Sequence, residues 1–207
     1  MSFKPLTIIG AISVCAVLTF SSCNGMFGKG GKNDSASVVN TDPYKDFFTP
    51  KIDSIDYTIK VPNHFYSSSS LNDEASFQYN DSANEEYVVA ICESKTDFIK
   101  EASDDSLYDD KQTPEKNYRL VVMNHLKESM KAKAEPNIKK TTINGHDAEI
   151  VDMIANVAGI PSDIYYKIAF IEGTKNMYYI TAWTLASEKD QNGAELDNMI
   201  NSFDLKK

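Results

Sequence analysis

Three histidines, a knot of aspartates, a run of serines and one cysteine in an apolar strand pattern are the residues of this chain that could do chemistry. His64, His125 and His146 are the three imidazoles. Metal binding or general acid–base catalysis needs imidazoles that converge, ideally with carboxylates. No pair has ligand spacing such as i, i+4: His64 follows an extended run, His125 sits in a helical pattern, and His146 lies at a turn. Each reads as an ordinary surface or hydrogen-bonded histidine. Asp104, Asp105, Asp109 and Asp110 gather in a polar stretch. Hard cations such as calcium bind oxygen clusters of this kind. The EF-hand spacing and its glycine are missing, so a solvated acidic loop is expected. Ser67 to Ser70 has no glycine-flanked nucleophile elbow and reads as a flexible loop. Cys92 ends the apolar run from Tyr87 and precedes Glu93. A nucleophilic thiolate wants a base and an electropositive setting, so Cys92 reads as a buried small hydrophobe.

Other chemistries are missing from the pattern. There is no P-loop and no dinucleotide fingerprint. Arg119 is the single arginine, which excludes a multi-arginine clamp for phosphate or carboxylate. The net charge of −9 argues against nucleic acid and against docking on anionic lipid. The expectation is no catalytic centre, no cofactor and no metal: the chain is not read as an enzyme. Tyr165, Tyr166, Tyr178, Tyr179 and Trp183 form an aromatic group on two adjacent strand patterns. Alternation sends half of them to each face. Core packing is the expected outcome. If the outer face were left uncovered, the rings would offer a surface for a small molecule or a glycan.

Cys23 carries the remaining chemistry. Met1 to Lys4 is a basic start, Leu6 to Phe20 is apolar, and Ser21-Ser22-Cys23 closes the run. A helix of about 15 residues spans about 22 Å, short of the roughly 30 Å hydrocarbon core. The segment therefore reads as a signal peptide, residues 1–22, rather than a membrane span. Ser22 and Cys23 resemble a lipobox, which departs from the common pattern only at Phe20. That resemblance implies cleavage before Cys23 and lipid on its sulfur and amine; several acyl chains give stable anchoring where one is marginal. Cys15 leaves with the signal, so Cys92 has no disulfide partner within the chain. The residues after Cys23 are neither the acidic run of surface-displayed lipoproteins nor the aspartate of inner-membrane retention. The expected address is the outer membrane, facing the periplasm.

Residues 23–42 are rich in Gly, Ser, Asn and Lys and have no apolar period, the mark of a flexible tether. At 5–6 Å times the square root of its length, the tether reaches on the order of 25 Å. Its Lys29 and Lys32 need do no more than keep it soluble. Residues 43–207 are enough for one compact domain. Asp56 to Val61 and Ala75 to Asn80 alternate as half-buried strands. Tyr87 to Cys92 is apolar on both faces, as in a strand covered on two sides. The stretch 96–112 is polar, with one short helix near Phe98. Thr113-Pro114-Glu115 starts a helix whose stripe runs through Tyr118, Val121, Val122, His125, Leu126 and Met130, ending near Glu135 before Pro136. Asn144-Gly145 marks a hairpin. Ile164 to Ile171 and Met177 to Thr184 are two more strands. Asn192 to Glu195 looks like a capping box before a last helix through Leu196, Met199, Ile200 and Phe203.

Three segments carry a resemblance to the PsbP-like fold family, shared by photosystem accessory proteins, a yeast nuclear-import factor and several bacterial families. They are Asp56 to Pro62; the hairpin Ile143 to Ala148; and Tyr178 to Thr181 followed by Met199 to Phe203. A tryptophan commonly follows the first proline in that family, and His64-Phe65 stands here instead. The resemblance implies an α/β (α+β) fold: a single antiparallel sheet of six or seven strands sandwiched by helices. It implies no chemistry, because members act mainly as binding or assembly factors. The functional expectation is a membrane-anchored, non-catalytic lipoprotein, held by lipid on Cys23. It would bind or assist another cell-envelope protein, and no nucleic acid. The alternative is a small-molecule or glycan binder using the aromatic strand face.

Overall fold

The computed structural model describes residues 42–127 and 129–206. The signal segment, Cys15, Cys23 and the tether up to residue 41, with Lys29 and Lys32, lie outside the described residues.

Apolar residues build four long strands, Glu86–Ser94, His146–Val157, Ile164–Glu172 and Asn176–Leu185, and shorter ones attach to them. In chain order the elements are β1 (Phe47–Phe48), β2 (Tyr57–Thr58), β3 (Val61–Pro62), β4 (Tyr66–Ser67), β5 (Phe77–Asp81), β6 (Glu86–Ser94), α1 (Lys95–Asp104), α2 (Pro114–Leu126), β7 (Met130–Ala132), β8 (Asn137–Ile143), β9 (His146–Val157), β10 (Ile164–Glu172), β11 (Asn176–Leu185), a 3-10 turn (Ala186–Glu188), α3 (Lys189–Asn201) and β12 (Asp204–Leu205). An eight-stranded antiparallel sheet runs β4-β5-β6-β11-β10-β9, and β7 and β8 share the outer side of β9. The sheet is larger than expected because β4 and β7, at two and three residues, were too short to show a period.

The two faces of the sheet bury two cores, as the alternation requires. Tyr87, Val89 and Ile91 of β6 point with Tyr166, Phe170, Tyr179 and Trp183 toward α1 and α2, where Phe98, Tyr118 and Val122 meet them. Val88 and Ala90 point with Tyr165, Ala169, Tyr178 and Ile180 toward α3 and the segment 57–65. There Tyr57, Leu196, Ile200 and Phe203 pack against them. Helices cover both faces, so the architecture is the sandwiched antiparallel sheet that the PsbP-like resemblance implies. Asn144 and Gly145 take φ of 48° and 88°, the positive pair that a two-residue hairpin demands.

Three local readings are corrected, and the helix near Phe98 is borne out. The helix from Thr113 ends at Leu126 rather than near Glu135, because Met130–Ala132 hydrogen-bonds as β7 along β9. Met130 is buried in the same core either way, so its place in a helical stripe was ambiguous. The short helix expected near Phe98 is present as α1, Lys95–Asp104, in which Phe98 and Ala102 lie one turn apart and are fully buried. Ser94 caps it, accepting from the Asp97 N–H at 3.3 Å. The supposed capping box at Asn192 lies inside α3, which starts at Lys189 after the 3-10 turn. Asn192 is buried and donates from Nδ2 to Asn84 O and Thr184 Oγ1 instead. Finally, Asp56 to Val61 buries Tyr57, Ile59 and Val61 as its alternation says, but outside the large sheet. Its pieces β2 and β3 pair with β12 and β1.

Candidate functional site

Most of the residues singled out for chemistry stay apart. Asp104, Asp105, Asp109 and Asp110 are exposed. Asp104 takes Lys100 Nζ at 2.6 Å, and Asp109 accepts from Lys111 N–H and Gln112 Nε2, so local donors use these oxygens. Ser68 Oγ accepts from Ser70 N–H within its own loop. Cys92 is half-buried rather than fully buried. Burial first, then the charges of Asp56 and Glu93, push its thiol up to about 11, the opposite of an activated nucleophile. His125 meets no carboxylate among the described residues. Among the described residues His146 Nε2 has one carboxylate nearby, Asp204 Oδ1 at 3.9 Å.

The aromatic group is core. Tyr165, Tyr166, Tyr178, Tyr179 and Trp183 are each at most 5% exposed, so no open aromatic strand face exists to stack a sugar. The cavity beside Tyr166, Tyr179 and Trp183 is about 10 Å³, too small for an organic ligand. A larger groove lies elsewhere. β7 and β8 continue one edge strand whose register on β9 slips by two residues between Ala132 and Asn137. Pro136 in that gap cannot donate to a ladder. The displaced chain opens a groove of about 390 Å³ against α2, lined by Leu120, Met123, Met130, Pro136, Ile138 and Met153. Leu120 and Ile138 at its lips are 44% and 42% exposed.

His64 is the exception among the histidines. The β3 turn carries it to the mouth of the β5–β6 hairpin, where register sets Asp81 opposite Glu86. α3 brings Glu195 from the third side, and the Asn192–Asn84 bond ties that helix to the hairpin turn. His64 Nε2 lies 3.4 Å from Glu86 Oε2, 3.4 Å from Glu195 Oε2 and 3.8 Å from Asp81 Oδ2. Glu86 is 2% exposed and its Oε1 has no hydrogen-bond partner. Burial first, then the charge of Glu195, raise its carboxyl to about 7, against the opposing pull of His64. Glu195 is also raised, by burial and by Asp46 and Asp81, again against His64. Among the described residues no lysine or arginine pairs with Asp81, Glu86 or Glu195. Sequence spacing could not reveal this set, because its members come from a turn, a hairpin and a distant helix. Glu86, set directly before the apolar run Tyr87–Cys92, was the one available signal.

No protein-family model matches this chain, and no curated protein matches it in sequence. Solved structures do match. The solution structure of cyanobacterial PsbP (CyanoP) from Synechocystis sp. PCC 6803 aligns with a TM-score of 0.51 at 10% identity, covering 83% of this chain and 98% of that one. The crystal structure of LpqN, involved in cell envelope biogenesis of Mycobacterium tuberculosis, aligns with a TM-score of 0.42 at 12% identity, covering 73% of this chain and 83% of that one. The fold is PsbP-like.

Proposed function

We propose that this chain is a non-catalytic binding protein of the cell envelope. Lipid on Cys23 would hold it to a membrane, the outer membrane facing the periplasm, and a tether of residues 23–42 would give the domain reach. The groove between α2 and the broken edge strand is its contact face for another envelope protein. The observation that carries this reading is the pair of exposed lips, Leu120 and Ile138, over a floor of three methionines. Methionine is unbranched and polarizable, and it adapts to apolar side chains of varied shape. Lys139 and Lys140 stand exposed on the adjacent edge strand β8, which discourages indiscriminate strand pairing and leaves the groove as the selective surface. The acidic balance of the chain keeps nucleic acid out of the account. Among the described residues no helix is long and apolar enough to cross a membrane.

A second reading is a small apolar ligand in the same groove, since about 390 Å³ falls within the range of small-molecule sites. In-cell crosslinking followed by identification of co-purifying proteins separates the two. The comparison needs the parent chain, Cys23→Ser and Leu120→Glu. A partner lost in both variants supports an anchored, groove-bound assembly. A partner retained in both overturns it. No partner in any sample transfers the groove to a small ligand, to be sought by mass spectrometry of molecules bound to the purified protein. Leu120→Glu should leave stability within about 0.5 kcal/mol, because the side chain it replaces is already exposed.

A further inference from the structure

We infer that His64, Glu86 and Glu195 form a divalent metal site, with zinc the ion that fits best, and that the ion would clasp the β3 turn, the β5–β6 hairpin and α3 together. The inference shares no residue with the groove and does not depend on the partner-binding reading.

The spacing of the donor atoms comes first. One donor atom from each of the three residues lies within 4.8 Å of the others. His64 Nε2 is 3.4 Å from an oxygen of Glu86 and 3.4 Å from an oxygen of Glu195. A charge-assisted N–H···O bond would draw the atoms to about 2.7–2.9 Å. The one hydrogen bond His64 makes among the described residues, to Glu86 Oε2, is long at 3.4 Å. A tetrahedral zinc with bonds of about 2.0–2.1 Å holds its ligand atoms about 3.3–3.4 Å apart. Equal separations of that size suit a shared ion better than a shared proton.

Charge is the second argument. Three carboxylates face one imidazole, which carries at most a single positive charge, and Asp46 adds further negative potential at Glu195. A buried carboxylate without a counter-charge is costly. Glu86 is 2% exposed and its Oε1 has no hydrogen-bond partner, and Glu195 Oε2 is buried without one; unlike Glu115, which leaves one oxygen unbonded but has Lys140 beside it, these two have no lysine or arginine nearby among the described residues. A chelated ion would supply the positive charge that these oxygens lack.

The surroundings also suit a metal. The His64 and Glu195 side chains are 41% and 37% exposed, which gives an entry path and leaves a fourth position open to solvent or Asp81. Asp81 is held by Ala83 N–H at 3.0 Å and Asn84 Nδ2 at 2.7 Å, so its carboxylate is already oriented beside the cluster. The imidazole selects among ions: it suits zinc and its neighbours, whereas calcium and magnesium prefer all-oxygen sites.

The test is calorimetric titration of the full chain with zinc chloride near neutral pH, repeated with magnesium and calcium. The variants are His64→Gln and Glu195→Gln, with His146→Gln as the control. Both site variants replace partly exposed side chains, and thermal melting without metal checks that they fold. The expected result is one equivalent of zinc bound at micromolar concentration, weakened at least about ten-fold in each site variant and unchanged in the control. Zinc should raise the melting temperature of the parent by several degrees and of the site variants not at all. Cobalt in place of zinc should show the intense visible bands of tetrahedral coordination. No zinc uptake at millimolar concentration overturns the inference. So does uptake indifferent to both substitutions, or tighter binding of calcium than of zinc.

Discussion

Two regions of this domain bury glutamates, and they do so in opposite ways. Toward the β8–β9 edge, Glu149 of β9 is paired with Arg119 of α2, both nearly buried. Nearby, Glu115 at the start of α2 takes Thr113 Oγ1 at 2.6 Å and Lys140 Nζ at 3.1 Å on its Oε1. Burial alone would raise the Glu115 carboxyl, but those donors and its own backbone N–H outweigh it and bring the group below the ordinary value. Toward the β5 side, Glu86 is buried among Asp81 and Glu195, and its carboxyl is raised instead. Both Glu115 and Glu86 leave one oxygen unbonded. The unbonded oxygen is therefore not what separates them. Charge balance is: one region has a cation for each acid, and the other gathers acids around a single imidazole. The balanced region reads as structure, and the unbalanced one as a place prepared for a positive ion.

Removing a cation from the balanced region should have the largest effect. Arg119→Met leaves Glu149 buried without its partner and should cost about 3–5 kcal/mol, read by urea unfolding. The double variant Arg119→Met/Glu149→Leu should recover most of that loss. If the single variant unfolds no more easily than the parent, the pair is not a buried ion pair in solution.

The unbalanced region should respond with the opposite sign. Glu86 has its folded-state carboxyl raised to about 7, above the ordinary 4.5. The native state therefore holds a proton that the unfolded chain has already released between those values. Stability from this group falls as pH rises through that window and is flat above it. Glu86→Gln should then stabilise the metal-free protein near pH 8. Solvent reaching the cluster past His64 holds the gain to roughly 1–2 kcal/mol. A loss of stability at pH 8, or a variant profile as steep as the parent's between pH 4.5 and 7, would contradict the contrast. The smallest effect belongs to Thr113→Val, which removes one donor from Glu115 at a cost of about 1 kcal/mol. The Glu115 carboxyl should move up toward its ordinary value. Because a lowered acid gives its stability above its unfolded value and loses it as pH falls, the acid limb of the unfolding curve should flatten.

Much of the frame was legible in the residues. The long strands announced themselves through alternation, and the two cores divide along it: Tyr166 and Tyr179 to one face, Tyr165 and Tyr178 to the other. The Asn144-Gly145 turn needed no tertiary help. The edge was harder to read, because Met130 satisfies a helical stripe and a strand pattern equally well. Only pairing to β9 chose between them. The groove that results depends on a two-residue slip of register, which no local pattern announces.

The residue pattern alone therefore determined what short-range physics can determine: periodic burial, the long strands, turn chemistry, and the lipobox-like start with Cys23. Each rests on neighbours a few positions apart. Tertiary structure decided the rest. It buried the aromatic strand face under helices, opened the groove beside α2, and carried His64, Glu86 and Glu195 from three separate segments to within 4.8 Å. Electrostatic and ligand geometry act through space over a few ångströms, whereas sequence records order along the chain. Side chains that meet only when a turn, a hairpin and a closing helix dock leave no spacing for a reader of sequence to find.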